Sequence, residues 1–180
     1  MSIVFCEWGL EGARKFDGNA GAMVIVDVLS FSTCVDIAVA RGAMVYPFPY
    51  GDFSAAAVAA KAIGAEIAGP RESTEYRYSL SPSSLCAIEA GTKLVLPSPN
   101  GAAISAAACS VPVLAGCLRN ARAVAARAAA LAHGPADGAG KAYVGVAPIW
   151  SAQLTYSRKD GSIAKFAGCR LCLMSPSSPG

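Results

Sequence analysis

The sequence predicts an α/β fold, a mostly parallel sheet with helices on both faces in α/β/α layers. Three observations predict it. Short apolar runs alternate with alanine-rich helical stretches, the pattern that strand–helix–strand units leave in a chain. The run Met23-Val24-Ile25-Val26 is apolar at every position, as in a strand buried on both faces of a parallel sheet. Polar turns rich in Gly, Pro and Asn follow several of these runs, and the crossovers between parallel strands should be right-handed.

Taken in order, 2–7 reads as an edge strand, 9–16 as a short helix or turn, and 17–21 as a loop. The central apolar run then ends in Asp27, and a hydroxyl-rich turn leads to a helix over Cys34–Ala40, closed by Gly42. A second strand spans Ala43–Phe48, with Pro47 and Pro49 expected to stop it. Asp52 or Ser54 can cap a helix that runs to about Ile63 and ends at Gly64. A short strand over Ala65–Ala68 precedes the longest polar segment, Gly69–Ser84; a loop of that length in a compact domain is usually functional or disordered. A helical turn over Leu85–Glu89 follows it. Strands are expected at Lys93–Leu96, Val111–Ala115 and Ala142–Val146, and helices at Ala102–Cys109 and Ala121–Ala132, the last capped by Asn120. Residues 1–146 thus form one α/β domain, and 147–180 an atypical, disordered tail without a place in the sheet.

Composition narrows the class. At 54% hydrophobic and 15% charged, the chain is globular, and its length supports one real core. A net charge of +3 without a concentrated basic face argues against a nucleic-acid partner. No apolar run is long enough to span a bilayer, and the N-terminus lacks the basic-then-apolar order of a secretory signal. The seven cysteines are odd in number and mostly in apolar surroundings, as small buried hydrophobes in a reducing compartment. A soluble cytoplasmic protein is expected, with no membrane partner and with a homodimer left open.

The chemistry should gather where strand ends meet. In open α/β sheets ligands bind beyond the carboxyl ends of the strands. The loops 27–33, 69–73, 97–101 and 116–120 would share that rim if the strands are parallel. Asp27 either supplies a carboxylate for a cation or only caps its turn. Ser30, Ser32 and Thr33 stand at a helix start, where free N–H groups favour anions. Ser98-Pro99-Asn100-Gly101 is either an anion nest or an ordinary turn and cap. Arg71 can grip an anion in a bidentate way and Glu72 can help hold a metal, unless the two are an exposed pair on a loop. Arg119, beside Asn120, is a second anion-binding candidate or a solvated charge. One carboxylate with one or two acidic helpers suits Mg²⁺, which keeps several waters, and Mg²⁺ beside an anion nest suits phosphoryl transfer to water. Leu29 occupies the second position of what would be an Asp-x-Asp pair, which argues against an aspartyl-phosphate nucleophile. Dinucleotide and P-loop glycine motifs are missing. His133 reads as a charge at a helix end, Cys169-x-x-Cys172 as half a zinc pattern, and Cys34 or Cys117 as nucleophiles without a nearby histidine.

Val26-Asp27-Val28-Leu29-Ser30-Phe31-Ser32-Thr33, Gly69-Pro70-Arg71-Glu72, Leu80-Ser81-Pro82, Ser98-Pro99-Asn100-Gly101 and Gly116-Cys117-Leu118-Arg119-Asn120-Ala121 resemble, in order and spacing, the 2-phosphosulfolactate phosphatase family. Glu7-Trp8-Gly9 resembles the start of its bacterial branch. The resemblance implies an α/β/α phosphatase that uses Mg²⁺ to convert 2-phospho-3-sulfolactate to 3-sulfolactate and phosphate, a step towards coenzyme M. It places Asp27 on the family's acidic strand end; Asp27, Arg71 and Glu72 are expected as catalytic, with Asp27 and, in place of the family's second carboxylate, Glu72 at the metal. Ser30, Ser32, Thr33, Ser98, Asn100, Gly101, Arg119 and Asn120 would meet the phosphorylated acid. The chain departs from the family at Ser30, often Arg there, and at Pro70, often Glu. After Asp160-Gly161-Ser162 no acidic pair follows, so the ending reads as truncated or out of frame. A non-catalytic anion-binding protein, or an inactive remnant of the family, is the alternative. An interaction module using the apolar tail is a third.

Overall fold

In a computed structural model of the chain, residues 3–49, 53–108, 110–132 and 143–148 are described. Strands and helices alternate as the sequence predicts: β1 (Ile3–Cys6), α1 (Gly9–Phe16), β2 (Ala22–Val26), α2 (Phe31–Ala40), β3 (Met44–Pro49), α3 (Phe53–Ala62) and β4 (Glu66–Gly69). They continue with β5 (Tyr78–Ser79), a 3₁₀ turn at Pro82–Leu85, β6 (Lys93–Ser98), α4 (Gly101–Ala107), β7 (Val113–Gly116), α5 (Ala121–Ala132) and β8 (Tyr143–Pro148). The strands pair in parallel throughout, and the fold is α/β.

They are divided between two four-stranded sheets, in the orders β1-β8-β2-β7 and β3-β6-β4-β5. Alternation along the strands shows how the sheets are covered. Met23 and Ile25 of β2 pack with Phe16 and Ile104, on the side of α1 and α4, while Val24 packs with Ala128 and Ala132 of α5. In the second sheet Leu94 and Leu96 of β6 join Phe31, Val35 and Ala102 of α2 and α4, while Val95 meets Ala56 and Ala60 of α3. The layers therefore run α5, first sheet, α1–α2–α4, second sheet, α3. Both sheets share one middle layer of helices, and the central strands β2 and β6 have an apolar cover on both faces.

Local differences from the predicted elements have physical causes. Pro47 does not stop β3, because β3 is an edge strand and pairs only with β6, so the missing N–H faces no neighbour. β6 runs on through Pro97, which lies beyond the two residues that β4 pairs. Helix α2 begins at Phe31, three residues earlier than its first continuous apolar face suggests. The polar stretch after β4 holds β5 and the 3₁₀ turn, and Ser84 ties the turn to Ser79 and Ser81. Strand β8 carries Ala147 and Pro148 into the first sheet beside Ile25 and Val26. His133, Cys169-x-x-Cys172 and the tail from 149 onward lie outside the described residues.

Candidate functional site

Strand β2 places residues 23 and 25 on its inner face, and the same alternation carries Asp27 towards the middle layer, where it is 7% exposed. The turn after it is fixed by its own hydroxyls. Ser32 Oγ donates to the Ile25 carbonyl at 3.0 Å and accepts the Asp27 N–H at 3.1 Å. The Ser32 N–H returns to the Asp27 carbonyl at 2.9 Å, and Thr33 Oγ1 donates to the Val28 carbonyl at 2.8 Å. Ser32 and Thr33, expected as a phosphate cradle, thus have their hydroxyl protons on backbone carbonyls, and Ser32 is wholly buried. Their effect is to hold Asp27 at a set angle.

Two helix starts converge on that carboxylate. The backbone amides of Phe31, first residue of α2, and of Gly101, first residue of α4, both act on it and favour its charged form. Gly101 is required for this approach: a Cβ there would stand 2.2 Å from the Phe31 ring. Burial pushes the Asp27 carboxyl above its ordinary value, against the opposing pull of the Phe31 amide, the Arg71 guanidinium and the Gly101 amide. The anion at this double helix start is the protein's own side chain.

Arg71 comes from the loop after β4 and joins the two sheets. Its Nη2 donates to Ser30 Oγ at 3.1 Å and lies 3.4 Å from the Leu29 carbonyl, while Ser30 Oγ donates to the Leu80 carbonyl at 2.6 Å. Buried Ser30 is therefore the hub of a latch between the first sheet's turn and two segments of the second. Ser98, last residue of β6, is buried and shares the inward parity of Leu94 and Leu96. Asn100 is the cap residue of α4 but makes no side-chain cap bond, so its amide is not engaged there.

Other candidates stand apart. Glu72 is exposed and is not among the groups acting on Asp27. Arg119 Nε donates to Asp36 Oδ2 on α2 at 2.9 Å. Asn120 closes its own turn, accepting the Cys117 N–H at 2.8 Å and donating to the Ala115 carbonyl at 3.0 Å. Cys34 and Cys117 are buried, and burial pushes the Cys34 thiol up to about 12, which removes it as a nucleophile at neutral pH. Sequence reasoning missed Asp36, separated from Arg119 by most of the domain, and the Leu80 carbonyl, a backbone group that carries no residue-type signal. It also missed Phe31, although an aromatic residue and a glycine at two helix starts is a detectable pair.

Among the described residues no group of three or more His, Cys, Asp or Glu side chains is placed to hold a metal. The donor set fits a hard cation that keeps most of its waters and takes a single carboxylate, Asp27, from these residues. The fold is that of an α/β protein in which a buried acid stands at the meeting of loops from two parallel sheets, with one guanidinium latched beside it, at the strand ends where such folds place their ligands. The chain belongs to the family described as 2-phosphosulpholactate phosphatase, which matches residues 11–135, and its function is phosphatase-like on that ground. No curated protein sequence matches the chain. No helix among the described residues is long and apolar enough to cross a membrane.

Proposed function

We propose that the protein hydrolyses a small anionic phosphomonoester with Mg²⁺, 2-phospho-3-sulfolactate being the first substrate to test, and that it works in the cytoplasm on a free small molecule. The observation that carries this reading is Asp27: a buried carboxylate set by two helix-start amides, with Arg71 acting on its charge. In the reaction a water oxygen forms a new bond to phosphorus, the ester P–O bond breaks, and the alcohol leaves with a proton. When bound, Mg²⁺ would lower the pKa of a coordinated water and draw charge from the phosphoryl oxygens.

The chain's own groups supply position and field. Asp27 would hold the cation and orient the attacking water, with its backbone held by the Ser32 hydroxyl and its charge favoured by the Phe31 and Gly101 amides. Arg71 would neutralise charge on the phosphoryl group, with Ser30 keeping the guanidinium in place. Asn100, whose amide caps nothing, and buried Ser98 complete the polar wall on the β6 side. Glu72 would reach the cation only if its loop turned inward. Phosphate release should require Mg²⁺ and stop in chelator, and Asp27→Asn should lower kcat by about 10²-fold or more, the usual scale for a group acting on developing charge. Turnover that survives Asp27→Asn would remove the metal role. A second reading, a non-catalytic anion-binding protein, is favoured by the lack, among the described residues, of any group of three or more His, Cys, Asp or Glu that could hold a metal. Binding of 3-sulfolactate with no turnover, indifferent to Mg²⁺, would establish it.

A further inference from the structure

We propose that Asp36 is a specificity-determining residue: by holding Arg119 against α2 it withholds a second cation from the Asp27 site, which then favours phosphomonoesters whose organic part carries no second anion. The proposal rests on the phosphatase reading above and narrows it: 2-phospho-3-sulfolactate would be accepted but not preferred. Loops after β2 and β7 are neighbours, since Val26 and Gly116 pair in register. Arg119 therefore starts close to the rim that Asp27 occupies. Its Nε is bonded to Asp36 Oδ2 at 2.9 Å, in the second turn of α2 and away from the helix start that faces Asp27. The acid is the anchored partner, at 16% side-chain exposure against 61% for the arginine.

Two further observations agree. Arg71 is the guanidinium that acts on Asp27, and it is latched to Ser30. Leu29 and Leu118, each 84% exposed, stand on the same two neighbouring loops. A sulfonate or second carboxylate arriving there meets leucine side chains and an arginine whose Nε is held on Asp36. A neutral or apolar remainder meets a compatible surface.

The test compares kcat/KM for 2-phospho-3-sulfolactate and for glycerol 2-phosphate, which lacks the second anion. Asp36→Asn should raise the ratio of the two about two- to five-fold, the scale of a partly exposed ion pair, through KM with kcat steady. Asp36→Glu should restore the original ratio, and Arg119→Gln placed on Asp36→Asn should remove the gain. Arg119→Gln alone should leave the ratio as it is. An unchanged ratio in Asp36→Asn, with both substrates turned over, overturns the role of Asp36 and leaves the phosphatase reading intact; so does a ratio that falls in Arg119→Gln alone. If neither substrate turns over, calorimetry with 3-sulfolactate decides. Tighter binding by Asp36→Asn supports Asp36 while sinking the phosphatase reading, and no binding by either form overturns both.

Discussion

The turns after β2 and after β7 begin side by side, on strands paired from Met23–Val113 to Val26–Gly116, yet they end differently. In the second, Asn120 satisfies the turn with its own amide, and Arg119 is tied to Asp36. In the first, two hydroxyls close the turn and leave Asp27 over, buried and raised in pKa by that burial. One turn is complete in itself. The other keeps an ionisable group where water does not reach it easily, the arrangement on which the proposed function rests.

The largest effect that sharpens this contrast is expected at Gly101. Gly101→Ala forces a Cβ into the Phe31 ring and should destabilise the fold by about 1–3 kcal/mol while moving an amide off Asp27. A urea titration reads the stability and an assay the activity; an alanine tolerated in both would show that α4 does not set the carboxylate. Ser32→Ala and Asn120→Ala come next, each removing two bonds to backbone at a cost of roughly 1–3 kcal/mol. Activity should fall in the first beyond the loss of stability, and follow stability alone in the second. Equal losses of activity would erase the difference between the turns.

A smaller effect concerns pH. The folded-state pKa of Asp27 is raised, so its proton is held more tightly in the folded than in the unfolded chain. The stability this contributes is present below the unfolded value, near 3.8, and is lost as pH rises through the folded one. In chelator, Asp27→Asn should therefore melt above the parent protein at neutral pH, with the gap closing on acidification. A gap independent of pH would mean that burial does not dominate at this carboxyl. The smallest expected effect is at Cys34. With its thiol pushed to about 12, native protein should leave it unalkylated near neutral pH while exposed Cys6 and Cys86 react. Peptide mapping would detect the opposite.

Much of the first turn was legible in the sequence, because an apolar run that ends abruptly in Asp27 marks the point where a buried strand meets a polar rim. Helix limits were legible where a cap or a stop was present: α1 spans Gly9–Phe16 and α5 Ala121–Ala132, as their residues suggest. The division into two sheets was not, since strands such as β2 and β6 carry the same two-faced apolar pattern whichever sheet they join. The direction of a hydroxyl was also beyond sequence. Ser32 and Thr33 at a helix start suit an anion and a backbone carbonyl equally well, and only the closure of the turn onto Ile25 and Val28 decides. Arg119 looked free because its partner lies far away in the chain, and contact between distant positions leaves no local trace.

The second sheet, from Met44 to Ser98, is one uninterrupted excursion of the chain, entered from α2 and left into α4, the two helices that begin at the same carboxylate. Arg71 and the Leu80 carbonyl belong to this excursion, while Asp27 does not. The guanidinium beside the acid and the carbonyl that anchors its latch come from one stretch of chain, and the acid with its hydroxyl-closed turn from another. No single segment carries both, so the cluster exists only once the excursion has folded back onto the first sheet.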